Sequence, residues 1–280
     1  MSKSFNAVFS PQKFLPSLMD DSRTHDFEQG WLNNKPWILS NMSHIAYFKQ
    51  SDIEAFMKAL KAKKTCIYDK DGAQGFLAIW KDKAILVFRG SQPLEENGFD
   101  GHKVDTGSQK EIQTFLNLDF DSKSLRFLYN DVLADLKFKK TQFDDMEDVA
   151  VHRGFFREIN KLWNNEGILT GLKECHDSNI PVWVTGHSLG AAMATLAGMR
   201  YRFESVITFG EPRVGSNVNL AFKSKSHIRY VNGADPVTMI PPELPFGYNH
   251  HGDVIKISDP DGKTDFRYDH AIVYYSNNLA

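Results

Sequence analysis

The chain has 280 residues, is 41% hydrophobic and carries a formal net charge of -2. This length and apolar content suffice for a large core, in one α/β domain or two small ones. Because the charge is nearly balanced and no run of Lys or Arg occurs, nucleic-acid binding is disfavoured.

The termini and cysteines place few constraints on the compartment. The first residues hold polar side chains throughout and lack the apolar core of a signal peptide. The longest apolar runs, such as 84–88, are too short to span a bilayer. We therefore expect a cytoplasmic protein, or one secreted without a recognisable signal peptide. Cys66 and Cys175 are expected to be free thiols rather than a bridge.

Strands and helices alternate along most of the sequence. Residues 1–40 contain Pro11, Pro16 and Pro36 and are predicted to be irregular. Ser51 to Lys64 is predicted to be a helix, with Ser51 as N-cap. Later strands are predicted at 75–80, 83–88, 181–185, 205–209, 227–232 and 253–258, and helices at 155–175 (interrupted near 164–167), 189–202, 217–224 and from about 268. This alternation predicts one α/β domain, residues 1–280, with a mostly parallel sheet flanked by helices.

The most informative segment is Gly186-His187-Ser188-Leu189-Gly190, between a short apolar strand and a helix of small residues. It has the G-x-S-x-G pattern of a nucleophile elbow, in which a tight turn exposes a serine hydroxyl above a helix N-terminus. That terminus favours a developing negative charge. Ser188 is therefore the predicted nucleophile, whereas His187 is interpreted as a packing residue.

A serine nucleophile needs a base, and the base needs a carboxylate that fixes its tautomer. In α/β-hydrolases the acid and then the base follow the serine along the chain. Asp235 fits the acid because it comes after strand 227–232, where sites collect in such sheets. The base is then His250, His251 or His270, of which spacing favours His270. Asp269 is interpreted as structural, paired with a surface cation.

Several segments together resemble the class 3, fungal-type lipase family of the α/β-hydrolase fold. The resemblance implies Ser188 as nucleophile, Asp235 as acid and His270 as base, with no metal or cofactor. It also implies that Ser91, through its N–H and hydroxyl, and Leu189, through its N–H, hold the oxyanion, and that His152 is structural. The segments that carry it, in chain order, are Phe88-Arg89-Gly90-Ser91, Val151-His152-Arg153-Gly154-Phe155, the elbow, 208–215, and 229–242.

Two regions depart from the family pattern. Residues 92–120 are long and lack the tryptophan that is frequent in the family's lid. Ser108 and Glu111 form a capping-box pattern there, which predicts a lid, or a lid plus insertion, with an amphipathic helix. An ordinary surface helix is the alternative. In addition, Val254 stands where the family's Y-x-H-x-G-x-E motif has its acid, which affects local structure more than catalysis.

The predicted function is hydrolysis of a lipid ester, most simply a triacylglycerol at an oil–water or membrane interface. A soluble feruloyl-type esterase, a phospholipase A, including a membrane-attacking toxin, and a non-catalytic lipid-binding protein are the alternatives. The side chains of 237, 239, 240 and 244–246 either line an acyl groove beside Asp235 or belong to the core.

Overall fold

A mostly parallel sheet lies at the centre of the protein. The computed structural model describes residues 27–90, 138–164, 166–265 and 269–280, with Leu18 and Asp21. Within these residues seven strands form the main sheet. They are β1 Lys64–Lys70, β2 Ala73–Ile79, β3 Ala84–Phe88, β6 Val182–His187, β7 Ser205–Phe209, β9 His227–Asn232 and β10 Asp253–Ile257. Their order in the sheet is β1-β2-β3-β6-β7-β9-β10. β2 pairs antiparallel with β1 and β3, whereas β3, β6, β7, β9 and β10 are mutually parallel.

A small antiparallel sheet accompanies the main one. It consists of β4 Lys140–Phe143, β5 Met146–His152 and β8 Gly215–Ser216. None of these strands was predicted from the sequence. Most of their residues are half-buried or exposed, so they lack the continuous apolar run of the central strands β3 and β7.

Helices cover both faces of the main sheet. They are α1 Phe27–Asn33, α2 Lys35–Ile45, α3 Gln50–Ala59, α4 Arg153–Trp163, α5 Glu166–Asp177, α6 Leu189–Arg200, α7 Val218–Ala221 and α8 Ile272–Asn278, and a 3-10 helix spans Pro236–Met239. Alternate side chains of a strand point to opposite faces. Leu86 and Phe88 of β3 therefore join one apolar cluster, which includes residues of α4, α5 and α6. Ile85 and Val87 join the other cluster, which includes residues of α1, α2, α3 and α8.

The predicted α/β class with a mostly parallel sheet is confirmed, and most element positions agree within a few residues. The strands at 205–209 and 227–232 are found as predicted. The interruption near 164–167 separates α4 from α5. Cys66 and Cys175 are free, in agreement with the prediction.

The prediction of irregular structure up to residue 40 is wrong for the described part, which forms α1 and α2. Pro36 lies in the first turn of α2, where its missing N–H costs no hydrogen bond. The Asn34 side chain caps the same helix by accepting the Trp37 N–H at 3.3 Å. Proline here marks the start of a helix.

The helix predicted over Ser51 to Lys64 begins earlier and ends earlier. Lys49 is the N-cap of α3, so Ser51 lies in its first turn. Lys64 already belongs to β1. The sequence before Lys64 is rich in lysine, and this pattern does not show where the helix ends and the strand begins. Segment 92–120, the predicted lid, lies outside the described residues.

Candidate active site

The turn between β6 and α6 holds Ser188 in a backbone conformation that few residues adopt. Its φ is 59° and its ψ is -124°. Such strain persists only where the surroundings impose it, and it is frequent at functional sites. A Cβ atom on Gly186 would lie 2.3 Å from the Gly190 carbonyl oxygen, and one on Gly190 would lie 2.2 Å from the Phe88 carbonyl oxygen. Both glycines of the motif are therefore required by close backbone contacts.

The Ser188 hydroxyl is buried and has no hydrogen-bond partner among the described residues. The Ser188 N–H donates to the Phe209 carbonyl at 3.1 Å, which ties the turn to the end of β7. Leu189 is the first residue of α6, so its N–H has no partner within the helix. Ser91, the other predicted oxyanion donor, lies outside the described residues.

Asp235 lies beyond the carboxyl end of β9 and is 2% exposed. Its Oδ1 accepts the Val237 N–H at 2.9 Å and thereby caps the 3-10 helix. Its Oδ2 accepts the Tyr275 hydroxyl of α8 at 2.5 Å. The carboxylate is thus held by two neutral donors, and the one from Tyr275 was not predicted from the sequence.

His270 is the histidine that bonds this carboxylate. Its Nδ1 lies 3.0 Å from Oδ1 and 2.9 Å from Oδ2 of Asp235. His250 instead contacts the Thr238 carbonyl at 2.7 Å, and His251 contacts His227 at 3.1 Å. The Nε2 atom of His270 is buried without a partner among the described residues.

Gly210 joins the elbow to the Asp235–His270 pair. It follows Phe209, the residue that accepts the Ser188 N–H, and has a φ of +59°. A Cβ atom at this position would lie 2.8 Å from Asp235 Oδ2 and 3.0 Å from the His270 ring. Ser188, Asp235 and His270 therefore meet at the carboxyl edge of the parallel strands.

The main chain around His270 is fixed by four further contacts. Asn232 donates to the Asp269 carbonyl at 3.0 Å, and the Asp269 carboxylate accepts the N–H groups of Ala234 and Asp265 at 2.7 and 3.1 Å. His187 contacts the His270 carbonyl at 2.7 Å. Asp269 is thus structural as predicted, but it is buried and binds backbone donors rather than a surface cation.

His187 and Tyr275 are both held in their neutral forms. Burial lowers the pKa of His187 well below its usual range, and the adjacent His270 ring lowers it further. Burial raises the pKa of Tyr275 well above its usual range, and the charge of Asp235 adds to this shift. Tyr275 therefore acts as a hydrogen-bond donor at any pH of interest.

The six side chains predicted as acyl groove or core fall into two groups. Val237 and Ile240 are buried, at 1% and 2% exposure, and belong to the core. The other four are exposed: Met239, Leu244, Pro245 and Phe246. His152, predicted to be structural, caps α4 by accepting the Phe155 N–H at 3.3 Å.

A second buried polar cluster lies beside the turn after β7. Glu211 accepts the Thr208 hydroxyl at 2.5 Å and lies 2.9 Å from His227 Nε2. Burial raises the pKa of Glu211, but the facing His227 outweighs this effect, so that the pKa lies below its usual range. This cluster fixes the turn that carries Gly210.

No metal site or membrane-spanning helix is found in the part of the chain that the structure describes. Its His, Cys, Asp and Glu side chains form no group of three or more that could hold a metal ion. None of its helices is long and apolar enough to cross a membrane.

The order of the strands, the elbow and the buried pair define an α/β-hydrolase, and comparisons with known proteins agree. The chain resembles a solved triacylglycerol lipase with a serine-protease triad at its catalytic centre, with a TM-score of 0.59 and 22% identity over 81% of this chain and 80% of that one.

Comparison of the sequence with known proteins points to one family. The family Lipase (class 3) matches residues 106–244. A secreted mono- and diacylglycerol lipase of Fusarium solani is 27% identical over 64% of this chain and 53% of its own length. A lipase of Rhizomucor miehei is 32% identical over 47% of this chain and 39% of its own. The chain is thus similar to class 3 lipases, and it spans about half or less of the length of these curated relatives.

Proposed function

We propose that this protein is a serine hydrolase of carboxylic esters, and specifically a triacylglycerol lipase. The observation that carries the proposal is the buried Asp235–His270 pair, with both carboxylate oxygens within 3.0 Å of Nδ1. A carboxylate in that position keeps the proton on Nδ1 and leaves Nε2 free to accept one. The unpartnered Ser188 hydroxyl lies at the same edge of the sheet.

In the proposed reaction Ser188 Oγ attacks the ester carbonyl carbon while His270 Nε2 takes the hydroxyl proton. The resulting tetrahedral intermediate carries the negative charge on the former carbonyl oxygen. His270 then gives its proton to the departing alcohol, which leaves an acyl ester on Ser188. A water that loses a proton to His270 attacks this ester and releases the carboxylic acid.

The oxyanion is proposed to be held by the N–H of Leu189 and by the N–H and hydroxyl of Ser91. Leu189 begins α6, so its N–H and the positive end of the helix dipole favour an anion there. Removal of one such donor costs about 10²–10³-fold in turnover in well-studied hydrolases.

The names of the relatives support a lipid ester as the substrate. The Fusarium solani relative is a mono- and diacylglycerol lipase, and a serine-protease triad serves the structurally similar triacylglycerol lipase. Residues 92–120 are proposed to be a lid, or a lid plus insertion, within a single domain of residues 1–280. The compartment is proposed to be the cytoplasm or the exterior of the cell, and the Fusarium relative is a secreted protein.

The test combines labelling with hydrolysis. A fluorophosphonate probe reacts only with an activated serine, so the wild type should be labelled and Ser188→Ala should not. Nitrophenyl esters with short to long acyl chains are then assayed below and above their solubility limits. A preference for long chains with a rate increase at the interface supports the lipase and its lid.

Other outcomes point elsewhere. A preference for short chains without an increase at the interface would indicate a soluble esterase, and cleavage of phospholipid vesicles alone would indicate a phospholipase. An unlabelled wild type that is as inert as Ser188→Ala would leave only the non-catalytic alternative.

A further inference from the structure

Tyr47 belongs to none of the motifs above, yet its hydroxyl contacts His187, the residue before Ser188. The residue follows the end of α2, and its Oη lies 2.9 Å from His187 Nδ1. Gly90 packs against the same oxygen. On the other side of the imidazole, His187 Nε2 lies 2.7 Å from the His270 carbonyl oxygen. Tyr47 and His187 are 140 residues apart in the sequence.

The direction of each hydrogen bond follows from the chemistry of the partners. A main-chain carbonyl can only accept, so the proton of His187 must be on Nε2. Burial keeps this imidazole neutral, which leaves Nδ1 as an acceptor. The Tyr47 hydroxyl must therefore donate to Nδ1. The result is a continuous relay from Tyr47 through His187 to His270.

The residues that Tyr47 contacts, and the far end of the relay, adjoin or belong to predicted site residues. Gly90 precedes Ser91, His187 precedes Ser188, and the carbonyl at the far end belongs to His270 itself. The packing at Gly90 is tight, since a Cβ atom there would lie 2.2 Å from Tyr47 Oη and 2.6 Å from the His187 carbonyl oxygen. Three segments that lie far apart in sequence are thus fixed to one another through one phenol and one imidazole.

We propose that Tyr47 is a positioning residue for ester hydrolysis, because its hydroxyl holds the His187 ring, through Nδ1, in the orientation from which Nε2 donates to the His270 carbonyl. Without the hydroxyl, Nδ1 is a buried acceptor with no donor, so the ring turns and its Nε2–H no longer holds the His270 main chain. The base then shifts away from Ser188. The inference rests on the proposed ester-hydrolase function.

The first experiment removes the hydroxyl alone. Tyr47→Phe is compared with Tyr248→Phe, a matched control whose hydroxyl is buried without a partner among the described residues. With a soluble short-chain nitrophenyl ester, we expect Tyr47→Phe to lower kcat by about ten- to a hundred-fold with little change in KM, since small displacements of catalytic groups cost that much. Tyr248→Phe should retain the wild-type kcat.

A second experiment separates the relay from general packing. A glutamine amide nitrogen can occupy the position of histidine Nε2, so His187→Gln keeps a donor for the His270 carbonyl without depending on Tyr47. His187→Leu keeps none. We expect kcat to decrease in the order wild type, His187→Gln, His187→Leu. Addition of Tyr47→Phe to His187→Gln should cost less than about two-fold, because the two changes act on one interaction.

The outcomes distinguish a failure of the relay from a failure of the ester-hydrolase proposal. A Tyr47→Phe enzyme with the kcat of Tyr248→Phe would overturn the relay while the ester-hydrolase proposal stands. So would equal kcat values for His187→Gln and His187→Leu, a comparison that holds even if Tyr47→Phe fails to fold. A wild type that does not react with a fluorophosphonate would remove both proposals.

Discussion

The tautomer of His270 depends on which atoms surround the Asp235 carboxylate, and Asp235→Asn tests this dependence. The Val237 N–H lies 2.9 Å from Oδ1 and can face only an acceptor. The amide oxygen of the asparagine must therefore take the place of Oδ1, so its NH₂ group takes the place of Oδ2. His270 Nδ1 lies 2.9 Å from Oδ2 and 3.0 Å from Oδ1, so the amide NH₂ faces that nitrogen and competes with the amide oxygen as its partner. We expect the amide to donate to Nδ1.

The consequence for the base is a proton on the wrong nitrogen. An Nδ1 atom that accepts from the amide forces the imidazole proton onto Nε2, which then has no lone pair for the serine proton. Loss of the correct tautomer costs about 10⁴-fold in turnover in a serine protease, which corresponds to about 5.5 kcal/mol of barrier. We expect a decrease of this size in kcat because Asp235 is buried and the Val237 N–H favours one orientation of its amide.

Two readouts check this expectation, namely kcat on a soluble short-chain ester and the rate of fluorophosphonate labelling of Ser188. Both should fall by the same factor in a variant that is still folded, because asparagine still caps the 3-10 helix. A variant with a kcat within ten-fold of wild type would refute the assignment of Asp235 as the residue that orients the base.

Two further predictions concern stability. Tyr275→Phe removes the 2.5 Å hydrogen bond to Asp235. It should lower the free energy of unfolding in urea by about 1.5–3 kcal/mol, the range for hydrogen bonds to charged groups. An unchanged free energy of unfolding would mean that the hydroxyl does not donate to the carboxylate. Burial lowers the pKa of His44 to about 3, so below pH 6.5 the unfolded chain binds a proton that the folded protein does not. Stability from this group is present above pH 6.5 and lost as the pH falls, by about 2 kcal/mol at pH 5. The free energy of unfolding in urea should be measured at pH 7 and at pH 5 for the wild type and for His44→Leu. Its decrease between the two pH values should be smaller in His44→Leu by about 2 kcal/mol. Equal decreases in both proteins would contradict the linkage.

The elbow could be recognised from the sequence because it is a local structure. Ser188 stands between two glycines, and a strand and a helix flank the turn directly. Asp235 lies between a predicted strand and a proline. Features of this kind depend on neighbours in the chain and can be recognised from residue order.

The errors arose where the pattern was weak or had two meanings. Pro36 was interpreted as a sign of irregular structure, although it begins α2. The strands β4, β5 and β8 are partly exposed, so their residues carry little apolar periodicity. Asp269 was expected to pair with a surface cation, because the sequence does not reveal which backbone donors lie nearby.

By itself the sequence determined the α/β class, the elbow and the candidates for acid and base, because turn chemistry and apolar periodicity act over a few residues. Only the tertiary structure decided that His270, and not His250 or His251, bonds Asp235. It alone connected Tyr275 to the carboxylate and Tyr47 to His187. Such partners are 35 to 140 residues apart in the chain, and their meeting depends on how whole helices pack on the sheet.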